Sequence, residues 1–303
     1  MFAGTYTASL SLAKTINVHG YGATINAAVT GPSFQIDRGA TLRLFGLSIV
    51  NINTPDNGTA ISCYPNNSTG PTPIVELEDV TIDASKEAAI AYPCTMTISR
   101  SRLTTHSLSL PGIYVLPISS LILDRSIVDG GNGILAEGPA SVVRITNSVI
   151  KNQGPNGAFA GSNLGGTGAG SVFVSFTTVI DSVVTCPSSG TPRCAGGTGI
   201  GSCIDNSVIY YGASGPPSDL VVPGTCPMSY TLVFPQTTAL SGDHNQLGVD
   251  PMLVNYAGAD YHLAGTSPAI DAADPTATNA FDLDGLQRPV GVQRDIGAFE
   301  YKP

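Results

Sequence analysis

The chain has no tryptophan, four lysines, and only 12% charged residues across 303 positions. Each shortage closes off a class of protein. Without Trp the broadest sugar-stacking surface is missing, which leaves 11 Tyr and 9 Phe for that role. Thirteen basic residues against 22 acidic ones give a net charge of -9, so neither nucleic acid nor an anionic membrane is an expected partner. No apolar run approaches the ~18 residues of a membrane-spanning helix, and no membrane insertion is expected. Extended helix-forming stretches are lacking as well, because 35 Gly and 22 Pro interrupt the chain. A zinc-binding HisGluXXHis helix, a phosphate-cradling Gly-rich loop with Lys and a GlyXSerXGly elbow are all absent.

What the chain does have is a repeated phrase. Ala140 to Asn152 alternates Val and Ile, bends at Thr146-Asn147-Ser148, then gives a short apolar pair. The same phrase returns with Ile49, Ile82, Leu103, Ile127, Val149, Val179 and Val208 in its last strand, at steps of 33, 21, 24, 22, 30 and 29 residues. A period in that range signals a solenoid whose coils bury their apolar faces only by stacking. Leu42, Leu44, Leu47 and Ile49 are the inward set of the first full coil, and Val75, Leu77, Val80 and Ile82 reproduce it. Arg144 interrupts one apolar column, and the favoured reading turns Val143 and Ile145 inward instead. The expected fold is all-β, a single right-handed parallel β-helix with a C-terminal cap: coils over 1–241 and a capping segment over 242–303.

Six cysteines fit the same scheme. Cys63 and Cys94 lie about one repeat apart, as do Cys203 and Cys226, and Cys186 and Cys194 close a Pro/Gly-rich loop. Neighbouring coils stack at about 4.8 Å, within disulfide reach. Three bonds, Cys63–Cys94, Cys186–Cys194 and Cys203–Cys226, are therefore expected, against the alternative of buried free thiols. They imply an extracytoplasmic, secreted or cell-surface location. Met1 to Gly4 shows no signal peptide and opens inside a turn leading to a strand, as a trimmed start would.

Two groups of residues are candidates for chemistry. Two or three positions beyond the repeat's anchor residue stand His106, Asp129, Lys151 and Asp181, which stacked coils would bring together as base, cation and carboxylate ligands. The alternative is a solvated ladder of alternating charge. A second column of Asp79, Arg100 and Asp124 reads as a structural salt-bridge ladder. Near the C-terminus, Asp282, Asp284, Arg288, Asp295 and Glu300 suit charge-assisted bonds that pin the final loop. The sharper alternative has Asp282, Asp284 and Asp295 hold Ca²⁺. No other cofactor is expected.

The C-terminal blocks Ser267-Pro-Ala-Ile-Asp271, Asp282-Leu-Asp-Gly285, Arg288-Pro289 and Asp295-Ile-Gly-Ala-Phe-Glu-Tyr301 resemble the ending of choice-of-anchor Q proteins, related to the pectate-lyase-like superfold. The resemblance implies a secreted or surface β-helix in which an anchoring signal follows this block; here the sequence stops at Lys302-Pro303, which leaves the attachment route open. It does not fix a reaction, since β-helices host lyases, hydrolases, adhesins and stalks. The Asn-Thr-Asp and paired-Asp blocks of β-helix galacturonases, and the Trp-Ile-Asp-His block of pectate lyases, are missing. Three functions remain in view: a monomeric surface protein contacting polysaccharide, a polysaccharide lyase or glycoside hydrolase acting on a uronate glycan, and an adhesin or stalk.

Overall fold

The computed structural model describes residues 1–27, 31–52, 58–65, 69–138, 140–151, 159–162 by backbone alone, 171–185, 204–213, 220–221 and 227–303. Strands pair in parallel from one coil to the next, forming an 18-stranded sheet and an 8-stranded sheet, and the fold is a right-handed parallel β-helix. Antiparallel pairing is confined, among the named strands, to Leu253–Asn255 with Asp260–Leu263. The stacking continues as far as Gln246–Leu247, which pairs with Leu232 and Val233.

A single bend residue per coil divides the large sheet. Gly46, Asp79, Arg100, Arg125, Asn147, Phe176, Asn206, Tyr230 and His244 all take positive φ, between 45° and 62°. The bend N–H groups reach across to the next coil, as from Arg100 to Asp124 O at 3.1 Å and from Asn147 to Ser175 O at 3.3 Å. Outside glycine this backbone region is sparsely used, and a bulky residue such as Phe176 holds it only where surroundings over-determine it. Here the Arg288 guanidinium lies 4.6 Å from the Phe176 ring centroid.

The residue after each bend builds a hydroxyl ladder inside the wall. Ser101, Ser126, Ser148 and Ser207 accept the N–H of the preceding coil's equivalent residue at 3.1–3.2 Å. Each also donates to its own carbonyl two residues back, as Ser148 does to Thr146 O at 2.6 Å. Buried backbone groups at the corner are thereby satisfied without water.

Inward residues on the second half-strand are Ile49, Ile82, Leu103, Val128, Ile150, Val179, Ile209 and Val233, in register. The column expected from sequence is therefore out of phase by one at three coils, where Ile127, Val149 and Val208 face outward. Val143 and Ile145 point inward, and Arg144 outward, as expected. Of the outward apolar residues, Val149 and Val208 are at most 1% exposed, as is Leu232 in the same column, while Ile127 is half-buried. They are covered by the C-terminal segment.

The described contacts of that segment run along the flank of the stack, and Pro268 O also accepts from Gln246 of the last paired strand. Leu263, Ala269, Ala273 and Ile296 pack on Phe176, Val208 and Leu232. Tyr261, Ala298 and Phe299 pack on Val149 and Ile180. Gly297 N–H donates to Asn206 O at 2.8 Å, and Ala298 N–H to Thr178 Oγ1 at 3.0 Å. Cys63 and Cys94 form the expected disulfide between successive coils. Cys186, Cys194, Cys203 and Cys226 lie outside the described residues.

Candidate functional site

The outward column beside the bends reads Thr81, Arg102, Ile127, Val149, Thr178, Val208, Leu232. It changes from polar to apolar where the C-terminal segment begins its cover. At that margin a groove of about 580 Å³ opens between the coils and the segment. Its floor carries Arg100, Arg102, Asp129 and Lys151, and its wall carries Asp260, Tyr261, His262, Asp284 and Phe299.

Of the four residues expected to stack, the structure brings two into register. Asp129 pairs with Lys151, and the preceding coil places Thr104 there while the next places Ile180. His106 stands two residues past Thr104, its Nε2 2.7 Å from Asp83 Oδ1. Asp181 follows Ile180 at a positive φ of 52°. Its carboxylate accepts from Gly212 N–H at 3.0 Å, Ala213 N–H at 3.3 Å and the Tyr256 hydroxyl at 2.7 Å. Asp181 thus fastens a turn and the C-terminal segment to the coil.

Within the groove, Arg102 Nη2 lies 3.6 Å from Asp129 Oδ2. Lys151 forms no ion pair among the described residues. Opposite them His262 is held between two carboxylates, Nδ1 at 2.6 Å from Asp260 Oδ1 and Nε2 at 2.8 Å from Asp284 Oδ2. Its ring centroid is 4.1 Å from that of Phe299. Burial pulls the His262 pKa down, but the hydrogen bonds to Asp284 and Asp260 outweigh it and leave it above 6.5. The same bond to His262 holds Asp260 below its ordinary value.

Tyr261 is 7% exposed, and its hydroxyl has no hydrogen-bond partner among the described residues. Burial, then the charges of Asp129 and Asp181, push its pKa up to about 12, with Arg102 opposing. A buried phenol without a partner is costly unless water or a ligand completes it. It therefore sets an unsatisfied polar atom just inside the wall of the groove.

The second column resolves differently from its sequence pattern. Arg125, not Asp124, stands in register with Asp79 and Arg100. Arg100 bonds both Asp79 oxygens at 3.0 Å and also pairs with Glu78. Asp124 instead accepts from Arg125, Thr146 and Asn147.

The Asp282, Asp284 and Asp295 set does not converge. Asp282 accepts from Leu286 N–H and Glu300 N–H, and Asp295 from Asp271 N–H and Tyr301 N–H. Asp284 turns instead to His262. Among the described residues no group of three His, Cys, Asp or Glu side chains is arranged for a metal ion. The loop-pinning alternative is what these residues build, with Arg288 donating to Asp295 O, Glu300 Oε1 and Gly297 O.

His262, Tyr261, Asp260 and Arg102 were not legible as site residues from spacing. Some 160 positions separate Arg102 from His262. The signal that was present is the doubled apolar pattern at Ile127, Val149 and Val208, which announces that something covers the outer face.

No family model matches the chain, and no curated protein matches it. Among solved structures it is similar to one described as pectate lyase Pel9A, with a TM-score of 0.54 and 13% identity over 99% of this chain and 86% of that chain. At that identity the likeness concerns the fold alone.

Proposed function

We propose that this is an extracytoplasmic β-helix protein that binds a uronate-containing polysaccharide in the groove beside its C-terminal segment. The observation that carries the reading is Arg102, Asp129 and Lys151 on adjacent coils, lining one groove together with Asp260, Tyr261, His262 and Asp284 of the C-terminal segment. A polymer carrying both carboxylates and hydroxyls needs cations for the first and acceptors for the second. Arg102 and Lys151 supply the cations, while Asp129, Asp260 and Asp284 supply the acceptors. The Cys63–Cys94 bond supports an oxidising compartment. The C-terminal blocks that resemble choice-of-anchor Q proteins support a secreted or cell-surface placement, with the chain acting as a monomer.

The test is retention of the purified chain on immobilised pectate, alginate, glycosaminoglycans and neutral glycans. The expected result is retention on an anionic polymer, weakened by salt and reduced at least about tenfold in Lys151→Ala and Arg102→Ala. Retention on none of the polymers, or equal retention by both variants, overturns the reading.

Tyr261 favours a second reading, that of a polysaccharide lyase. In β-elimination a base removes the proton α to the uronate carboxylate, the C–O bond to the leaving sugar breaks, and a C=C bond forms. Asp129 would take the proton, Arg102 and Lys151 would neutralise the carboxylate, and the Tyr261 hydroxyl would protonate the departing oxygen. Absorbance near 235 nm that rises with an anionic glycan and disappears in Tyr261→Phe is the outcome this reading requires. Running the assay with Ca²⁺ and with chelator tests whether a cation takes part. An adhesin or stalk is the reading left if no glycan is retained or cleaved.

A further inference from the structure

A second groove, of about 410 Å³, opens on the other side of the Phe281–Leu283 stretch. It is lined by Arg125, Arg144, Asn147, Phe173, Asp205 and Asn279, among others. None of these takes part in the first groove except Arg125, which lines both.

Asn147 gives this groove its chemistry. The residue is 4% exposed, and its Nδ2 donates to Asp124 Oδ1 at 3.0 Å and to Asn279 Oδ1 at 3.2 Å. Two acceptors fix the orientation of the amide, because a flipped amide would set its oxygen against both. Its Oδ1 is thereby left buried with no donor among the described residues. A buried amide oxygen without a donor, on a residue that lines a groove, is an acceptor still to be satisfied.

The surroundings narrow what brings that donor. Asp205 adds a carboxylate that already accepts from Asn206 Nδ2 at 2.9 Å and from Ser175. Arg144 is exposed, with its guanidinium 5.0 Å from the Phe173 ring centroid. Arg125 stands 5.8 Å from the Phe281 ring centroid. Acceptors for hydroxyls, a cation for a carboxylate and aromatic carbon beside them suit a uronic sugar ring.

Placement links the two grooves. Asp79, Arg100 and Arg125 line the first, and Arg125, Asn147, Phe176 and Asn206 line the second. All are successive members of the one bend ladder, each a coil apart. At about 4.8 Å per coil the two grooves follow that ladder end to end for about 24 Å.

We propose that the second groove is a further sugar subsite, so that one uronate chain several units long lies along the bend ladder from Asp79 to Asn206. This rests on the glycan-binding reading above and extends it to a substrate of defined length and direction.

Calorimetric titration with galacturonate and mannuronate oligomers of two to eight units tests it, using the full chain and two variants, Phe173→Ala and Arg144→Gln. Both side chains lie on the outer face, and thermal melts of each variant check that folding is retained. The expected result is affinity that climbs with oligomer length in the unaltered chain. In either variant the longer oligomers lose about tenfold, while the shortest that bind stay within about twofold. Binding that is independent of length, or a length dependence untouched by both variants, overturns the second subsite and leaves the first groove standing. No binding by any oligomer overturns the glycan reading and the subsite with it.

Discussion

Arg288 and Glu300 meet at 2.7 Å with both side chains wholly buried. The pair is the hub on which the last turn of the C-terminal segment is wound. Arg288 also donates to the carbonyls of Asp295 and Gly297, and Glu300 accepts from Asp295 N–H and Val290 N–H. Removing one partner strands a charge in the interior, so Arg288→Leu is expected to cost about 3–5 kcal/mol in urea unfolding. The double change Arg288→Leu with Glu300→Leu should recover part of that loss, because no unpaired charge is then left. A single change costing under 1 kcal/mol would show that the segment is held by its apolar contacts alone.

Asp295 gives the hub a pH dependence. Burial raises its pKa from 3.8 to about 6, against backbone hydrogen bonds from Tyr301 and Asp271 that lower it. A carboxyl with a raised folded-state pKa stabilises fully below its unfolded value and loses that contribution as pH rises through the folded one. The Asp295 contribution is therefore present below about pH 4 and lost as pH rises towards and through 6. Asp295→Asn should flatten the slope of urea stability against pH in that window. An unchanged slope would exclude this residue as its source.

His262 titrates in the same groove as the proposed ligand. Its folded pKa lies above 6.5, so the charged form and its stabilisation are present below that value and fade as pH rises past the raised one. An NMR titration of the ring should give a midpoint above 6.5 that falls in Asp284→Asn, since one of two raising bonds is removed. A midpoint unmoved by that change would mean the two side chains do not hold each other in solution.

The hydroxyl ladder predicts an unusually costly loss of one oxygen atom. Ser148→Ala leaves the buried Ser126 N–H, now bonded at 3.2 Å, without its acceptor. The expected destabilisation is about 1–3 kcal/mol, well above that of an exposed Ser→Ala change. Equal costs for Ser148 and an exposed serine would place water at the corner.

The Cys63–Cys94 bond closes a loop with a sequence separation of 31. Chain entropy assigns such a loop about 3–4 kcal/mol. Replacing both cysteines by alanine should lower the thermal midpoint by several degrees, while the coil pattern in far-UV circular dichroism persists.

By itself the sequence determined the repeat and therefore the fold. Short-period alternation of Val, Ile and Leu, broken at a fixed bend and returning every 21 to 33 residues, admits a stacked coil because each coil lacks a core of its own. It also identified the inward residues of the early coils, where one face meets water and alternation has a clear phase. At Ile127, Val149 and Val208 that phase was lost for a physical reason. Ile127, Val149 and Val208 are apolar because the C-terminal segment lies on them, so both faces of the strand are apolar and a shift of one residue looks equally good. Where the segment docks was decided only in three dimensions, through bonds such as Asn147 to Asn279, 132 positions apart. The groove inherits that dependence. Asp129 and Lys151 were legible as neighbours because they belong to one repeating column, whereas His262 and Tyr261 reach them through packing that no local period encodes.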